Sequence, residues 1–487
     1  MTFDLTTIAL FVVGALIYAA VLPRRWRGWA LLIASTILIY RLQPPLAIRF
    51  SDFILPTATV ALTVACWWFT RDPSVDTVRD DRLTFGVIAL LVLAMSLMRF
   101  VDPAYRLTAS RPPDPILVVI SLALVTAIVL AASLLVQRSS QRGQKRALWV
   151  LILVIVVLFV LLKSAPLATD VAALWRGGTG QDVSLASATD LDWLGFSYVA
   201  FRLIHTIRDR QNGILPAVSL REYVTYVIFA PAYTAGPIDR IERFTEDFRA
   251  LPDKVGLDGA RFMAGFTRIV IGIFKKFVIA DSLAMGMALN PTNAAQTHST
   301  VGMWLLLYGY ALRLYFDFGG YSDVAIGIGI LLGIKLPENF NRPYLRTNIT
   351  VFWQNWHATL SAWARSYIFS PLSRWLLSRK PKPSPTMIVL LTQTATMVTI
   401  GMWHGISLNF LIWGIWHGIG LFVHKQWTDR TRKWYRSLND KPRQKWTWTV
   451  AGWFITFHFV VLGWVWFALP TLDQSLHVFG GLFGIGL

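Results

Sequence analysis

The sequence predicts an all-α, polytopic integral membrane protein with about a dozen transmembrane or re-entrant helices. Three observations lead there. Of the 487 residues, 55% are hydrophobic and 14% aromatic while only 15% are charged, whereas soluble domains carry about 25% charged residues. Apolar runs near the ~20 residues needed to cross a bilayer recur from end to end: Leu5 to Leu22, Leu83 to Met98, Ile116 to Val136, Leu148 to Leu162, Met387 to Met402 and Trp446 to Leu469. The formal charge of +19 gathers in short links between these runs, at Arg24, Arg25 and Arg27, at Arg138 to Arg146, at Arg374 to Lys382 and from Lys425 to Lys445. A nucleic-acid partner would need that charge on one solvated face or arm, so none is expected. The positive-inside bias instead assigns the basic links to the cytoplasm and Met1 to the outside, with membrane lipid as the surroundings.

Residues 1–105 read as four N-terminal crossings with short links. No basic stretch precedes the first run and no A-x-A-like site closes it, which marks a retained anchor and not a cleaved signal. Arg71 to Arg82 (RDPSVDTVRDDR) reads as one polar loop. The single cysteine, Cys66, excludes an internal disulfide and any cysteine-rich metal site, and no metal site is expected. It sits in the apolar run Leu62 to Phe69, the setting of an inert core thiol. Residues 106–190 form an extra transmembrane hairpin followed by a polar loop, GGTGQDVSLASATDLD, whose turn-rich composition places it outside the membrane. Residues 191–470 read as the functional core and 471–487 as a C-terminal tail.

From Trp193 onward, polar groups enter the apolar segments. Ionisable side chains at membrane depth are costly, so they face a cavity or a partner. The set comprises Lys275 and Lys276, Asp317 and Asp323, His357 and Arg365, and His404 and His417. Each has an ordinary explanation as well. The two lysines can snorkel to a headgroup, and the two aspartates can cap helix ends around Gly319-Gly320. His417 and His424, seven apart, share a helix face, and His424 abuts a basic link. His205 resembles a membrane-edge residue, His298 and His477 sit in loops, and His458 has no evident partner; none of these four receives a chemical role. His404 is harder to explain structurally. The apolar runs on either side of it begin and end at basic links, so they form a hairpin whose turn holds His404 between mid-membrane and the outer face.

Familiar catalytic signatures are missing. There is no G-x-S-x-G elbow, no H-E-x-x-H helix and no phosphate-binding G-x-x-x-x-G-K-[ST], and the glycines of IGIGILLGIK suit helix packing. A histidine without a paired side-chain nucleophile suggests base catalysis on a substrate hydroxyl. Burial favours the neutral imidazole, the form that accepts a proton.

Five segments carry a family resemblance: FAPAYTAGPIDRIERF (229–244), GIFKKFVIAD (272–281), LYFDFGGYSDVAIGIGILLGIKLPENFNRPY (314–344), FWQNWHATLSAWARSYIFSPL (352–372) and MWHGISLNFLIWGIWHG (402–418). Together they resemble the membrane-bound O-acyltransferase family, in its bacterial branch that includes the alginate O-acetylation membrane protein and, more distantly, the teichoic-acid D-alanylation protein. The resemblance implies a ring of helices around a thinned centre, with a central tunnel open to the acyl donor from the cytoplasm and to the acceptor from outside. It implies that His404 of W-H-G is catalytic and that His357 of W-H-x-x-L-S assists it. Asp317, Tyr321, Asp323, Asn341 and Arg342 follow as tunnel-lining or substrate-binding candidates, with Arg342 able to meet a donor phosphate. The implied activity is transfer of an acyl group, most simply acetyl from acetyl-coenzyme A, to an envelope or exported polysaccharide at the bacterial inner membrane, with a separate periplasmic acyltransferase as partner. No bound cofactor is implied. Transfer to a lipid or small metabolite, and a transporter with a buried His/Asp relay, are the alternatives. The chain departs from the family pattern at Gln354-Asn355, at Arg365-Ser366 and at Ala468, where relatives carry a basic pair, an Arg-Asp pair and an arginine.

Overall fold

The computed structural model describes residues 4–72, 77–254, 256 and 258–485, and among them there is no strand. The chain is a succession of α-helices joined by short 3₁₀ and π turns, the solution a bilayer imposes because each backbone amide must find its partner within its own segment. Among the described residues, six helices are long and apolar enough to cross a membrane: Ser51–Thr70, Val78–Phe100, Pro115–Gln137, Gln141–Lys163, Pro385–His404 and Pro442–Ala468. Leu5–Ala20 is apolar but shorter. Thr300–Leu332 and Leu408–Ser437, of 33 and 30 residues, reach ~50 and ~45 Å at 1.5 Å per residue, but polar side chains interrupt their hydropathy. Local signals start these helices where expected. Asp4, Asp114, Ser140 and Ser384 each accept a backbone N–H of the first turn, and Pro115 and Pro385 occupy the first helical position, where a missing N–H costs nothing.

The helices form two compact units, Met1–Thr267 with Ala325–Leu336, and Arg268–Val324 with Pro337–Leu487. The first is organised around one apolar cluster that includes Tyr40, Phe53, Trp67, Tyr223, Phe229 and Phe244. Cys66 is fully buried within it. One of the basic-link residues, Arg27, is buried and donates to the carbonyls of Lys254 at 3.0 Å and Ala19 at 3.4 Å. The polar stretch Arg71 to Arg82 is shorter as a loop than expected. Residues 73–76 lie outside those described, and Val78 already begins a helix, because Asp80 and Asp81 favour a first turn and Asp81 accepts the backbone N–H of Leu220 at 2.7 Å.

The extra hairpin is present as Pro115–Gln137 and Gln141–Lys163, and its outward side chains are strongly exposed, Ile116 and Leu135 at 70% each. In water such a surface would drive association; facing lipid it needs no other partner. After it, Arg176 and Asp190 form a buried ion pair at 2.7 Å that pins the polar loop. His205 corrects the membrane-edge expectation. It is buried, with Nε2 at 3.0 Å from Asp209 and 3.7 Å from Glu242 and Nδ1 at 3.3 Å from the Tyr226 hydroxyl. The i,i+4 spacing of His205 and Asp209 places both on one face of Phe196–Asn212, and the three ligand-type atoms lie within 4.8 Å of one another.

Candidate active site

The second unit holds every residue singled out from the sequence as catalytic or substrate-binding. Its frame is a crossing of two backbones. The Gly259–Ile273 helix continues into a π turn, Phe274–Ala280, and crosses Thr300–Leu332 where Gly272 meets Gly320. A Cβ on Gly320 would stand 2.7 Å from the Gly272 carbonyl oxygen, so only glycine allows this approach. One turn on either side of Gly272 lie Arg268, Lys275 and Lys276; three residues on either side of Gly320 lie Asp317 and Asp323. The close crossing therefore pairs them. Asp323 accepts from Arg268 Nε at 2.5 Å and Lys275 Nζ at 2.6 Å, and Asp317 from Lys276 Nζ at 2.9 Å. The π turn inserts an extra residue, which lets the consecutive lysines address two carboxylates. Both ordinary explanations fail here. The lysines do not snorkel away, and the two aspartates are mid-helix groups in ion pairs, not caps.

Arg268 also bridges to Glu338, with Nη1 at 2.9 Å from Oε1, and this group opens a cavity of about 450 Å³. Arg268, Lys275, Asp323, Glu338, Asn341 and Arg342 line it. Tyr315, Gly319, Ser322 and Asp323, spaced by three, four and seven along Thr300–Leu332, form one wall. Of the sequence candidates, Asp323, Asn341 and Arg342 thus share one cavity. Asp317 is half-buried beside it in its own ion pair, and Tyr321, at 5% exposure, is not a lining residue.

Asn339 to Arg342, which also line the cavity, form one side of a two-rung backbone ladder. Ala358 N–H donates to the Asn339 carbonyl at 2.9 Å, and Asn341 N–H donates to the Asn355 carbonyl at 3.1 Å. His357, between the rungs, is buried and adopts φ 42°, as Arg342 adopts φ 45°. Left-handed backbone at a non-glycine residue costs of order 1–3 kcal/mol and persists where the surroundings over-determine it. The His357 ring stands edge-on to Phe318, centroids 4.7 Å apart, and 6.1 Å from Trp403. Asn339, fully buried, contacts the ring at Nδ1 from 3.3 Å.

His404 is the last residue of Pro385–His404, at the turn into Leu408–Ser437, as the hairpin reading expects. That hairpin closes tightly: a Cβ on Gly414 would lie 2.6 Å from the Val398 Cα. The half-buried His404 ring rests in an aromatic box, 4.5 Å from Trp403, 4.6 Å from Phe467 and 5.8 Å from Trp413. Trp403 touches both histidines, so one ring links the two candidate bases. His417, one helical stretch on, is fully enclosed by Trp353, Trp413, Phe459 and Trp464. His424 meets the Thr350 hydroxyl at 2.9 Å, and His458 finds the partner the sequence did not reveal, Tyr308 Oη at 2.8 Å. His477 lies in the helix Leu472–Leu482 and not in a loop, while the exposed Arg365 opens a second π turn, Arg365–Phe369.

Sequence reasoning missed Asn339, Arg268, Glu338 and Trp403. Arg268 and Lys275 carried a usable signal, since a spacing of seven through Gly272 marks one helix face. Asn339 and Asn341 occur in one short irregular stretch, ENFN, and nothing local says which of them turns toward the histidine.

The arrangement can accept a proton at either imidazole, screen it from water with aromatic rings, and hold an anion at the guanidinium and ammonium groups of the cavity. Comparison with known proteins agrees with that chemistry. The profile of the membrane-bound O-acyltransferase family, MBOAT, matches residues 114–463. A teichoic acid D-alanyltransferase of Streptococcus thermophilus is 33% identical over 288 residues, covering 57% of this chain and 68% of that protein. A probable alginate O-acetylase of Pseudomonas syringae pv. tomato is 33% identical over 294 residues, 60% of this chain and 52% of its own length. A peptidoglycan O-acetyltransferase of Helicobacter pylori is 36% identical over 264 residues, 54% of this chain and 47% of its own length. The chain thus spans about half the length of the last two. With the family profile matching over most of its length, this multi-pass membrane protein belongs to the membrane-bound O-acyltransferase family and is an O-acyltransferase.

Proposed function

We propose that the chain moves an acetyl group from acetyl-coenzyme A on the cytoplasmic side of a bacterial inner membrane to hydroxyls of an envelope or exported polysaccharide. Residues 191–470 would carry the chemistry, 1–105 and the 106–190 hairpin the surrounding scaffold, and 471–487 a tail. The observation that carries the reading is the joining of two histidines through Trp403, with His357 contacting Asn339, which lines the same cavity as Arg268, Lys275 and Arg342. His404 takes the proton of the acceptor hydroxyl as its oxygen bonds to the thioester carbonyl carbon. The tetrahedral intermediate then collapses, the C–S bond breaks, and the proton passes to the departing thiolate. His357 assists that transfer, and general-base help of this kind is worth roughly two to four orders of magnitude in rate. Arg342, which lines the cavity with a left-handed backbone, would meet a donor phosphate.

The relatives' names support the acceptor class, since teichoic acid, alginate and peptidoglycan are all polymers of the envelope or exterior. A donor on one side and a polymer on the other face a hydrocarbon layer ~30 Å thick, which favours a relay with an extracytoplasmic acyltransferase. The test is reconstitution in vesicles with radiolabelled acetyl-coenzyme A on one side and polysaccharide on the other, with and without candidate partners. Label transferred to carbohydrate hydroxyls supports the reading; transfer only to lipid, or passage of a solute without ester formation, overturns it. Full-rate polymer acetylation without any partner removes the relay alone.

A further inference from the structure

We propose that Asn339 is a positioning residue for the transfer reaction, holding His357 in the tautomer that keeps its lone pair on Nε2. The inference rests on the reading that His357 takes part in acyl transfer. Its basis is which end of the Asn339 amide faces the imidazole, and two distances decide that. The contact with Thr359 Oγ1 is 2.6 Å, inside the O–H···O range of about 2.5–3.0 Å and below the N–H···O range of about 2.7–3.2 Å. The contact with Ser322 Oγ is 3.2 Å, acceptable for N–H···O and too long for O–H···O. The amide nitrogen therefore donates to Ser322, and the carbonyl oxygen accepts from Thr359. That same oxygen lies 3.3 Å from His357 Nδ1, a long contact just beyond the usual N–H···O range. A carbonyl cannot donate, so the contact is a hydrogen bond only when Nδ1 carries the hydrogen.

A neutral imidazole with Nδ1–H has its lone pair on Nε2, the edge turned away from Asn339. Asn339 is itself immobilised. It is fully buried, its backbone carbonyl accepts Ala358 N–H at 2.9 Å, and three side-chain contacts leave the amide one orientation. His357 thus assists His404 with a hydrogen-bond acceptor, not a donor, at Nε2, and the Asn339 carbonyl steadies any positive charge the ring takes on. Asn339 also lines the cavity of Arg268 and Arg342, but its amide is committed to Ser322, Thr359 and His357, so it acts through His357.

The experiment compares Asn339→Ala and Asn339→Asp, each alone and combined with His357→Ala, in reconstituted vesicles, with thermal unfolding recorded in parallel. Asn339→Ala is expected to lower kcat roughly ten- to a hundredfold with little change in KM for acetyl-coenzyme A, the range seen when an orienting partner is lost. In the His357→Ala background the same substitution should change kcat by less than about twofold, because two residues acting through one group are not additive. Asn339→Asp should recover most of the rate, since a carboxylate accepts the same Nδ1–H. Nitrogen-15 histidine spectra of the membrane-embedded wild type, with the His357 signal identified by its loss in His357→Gln, read the tautomer directly whatever the fate of the alanine variant. A lone pair on Nδ1, an undiminished kcat loss in the His357→Ala background, or an aspartate variant no better than alanine overturns the proposal. Absence of transfer by the wild type overturns the acyl-transfer reading, and the proposal with it.

Discussion

His417→Leu separates the two W-H-G histidines by consequence. The His417 side chain is fully buried, and among the described residues neither ring nitrogen has a hydrogen-bond partner. Its surroundings are the faces and edges of Trp353, Trp413, Phe459 and Trp464, with ring centroids 4.8–6.1 Å away. Each unsatisfied buried polar group costs about 1–3 kcal/mol, so an apolar side chain relieves about 2–6 kcal/mol. Against this stands the shape mismatch of a volume-conserving swap, usually below about 1.5 kcal/mol. The balance favours leucine, and the variant should melt at or above the wild-type temperature in detergent while keeping acyl transfer within about threefold. His417→Ala, by contrast, opens a cavity costing about 2–5 kcal/mol, which offsets most of the same relief and leaves it near wild type and less stable than the leucine variant. A leucine variant that melts well below wild type, or that loses transfer a hundredfold while folded, would refute the reasoning and give the His417 nitrogens a role in the reaction.

His404→Ala should stay folded and membrane-inserted yet lose acyl transfer at least roughly a hundredfold, and His357→Ala should lose less; the reverse order in purified variants would exchange their roles. Gly320→Val should fail to fold or lose transfer altogether, because its Cβ would meet the Gly272 carbonyl at 2.7 Å and separate Asp323 from Arg268 and Lys275; a stable, active variant would deny the crossing its importance. Arg342→Ala should raise KM for acetyl-coenzyme A about tenfold with kcat nearly unchanged, and a pure kcat loss would remove it from donor binding. Single cysteines in 374–385 and in 290–299, introduced with Cys66→Ala, should differ in labelling by an impermeant thiol reagent, the second reacting from outside; equal labelling from outside overturns the topology.

Much of this protein is determined by its sequence alone, because the forces concerned are local. Hydropathy over twenty residues identifies a span without reference to any other span, and the hairpin at 115–163 and the turn at His404 follow from that with the basic links. The motifs around His357 and His404 likewise name the chemistry, since each is a short contiguous string. What the tertiary structure decided are pairings across long separations. Asp323 meets Lys275 from 48 positions away, and Asn339 meets His357 from 18; both depend on how helices cross, which no local pattern encodes. His205 shows the same limit. Its neighbours Arg208, Asp209 and Arg210 suggest a solvated edge, yet the structure buries it beside Asp209, Glu242 and Tyr226. Asn339 and Asn341 are chemically identical, two residues apart and both line the cavity, so only the tertiary structure decides that Asn339 is the one whose side chain meets His357.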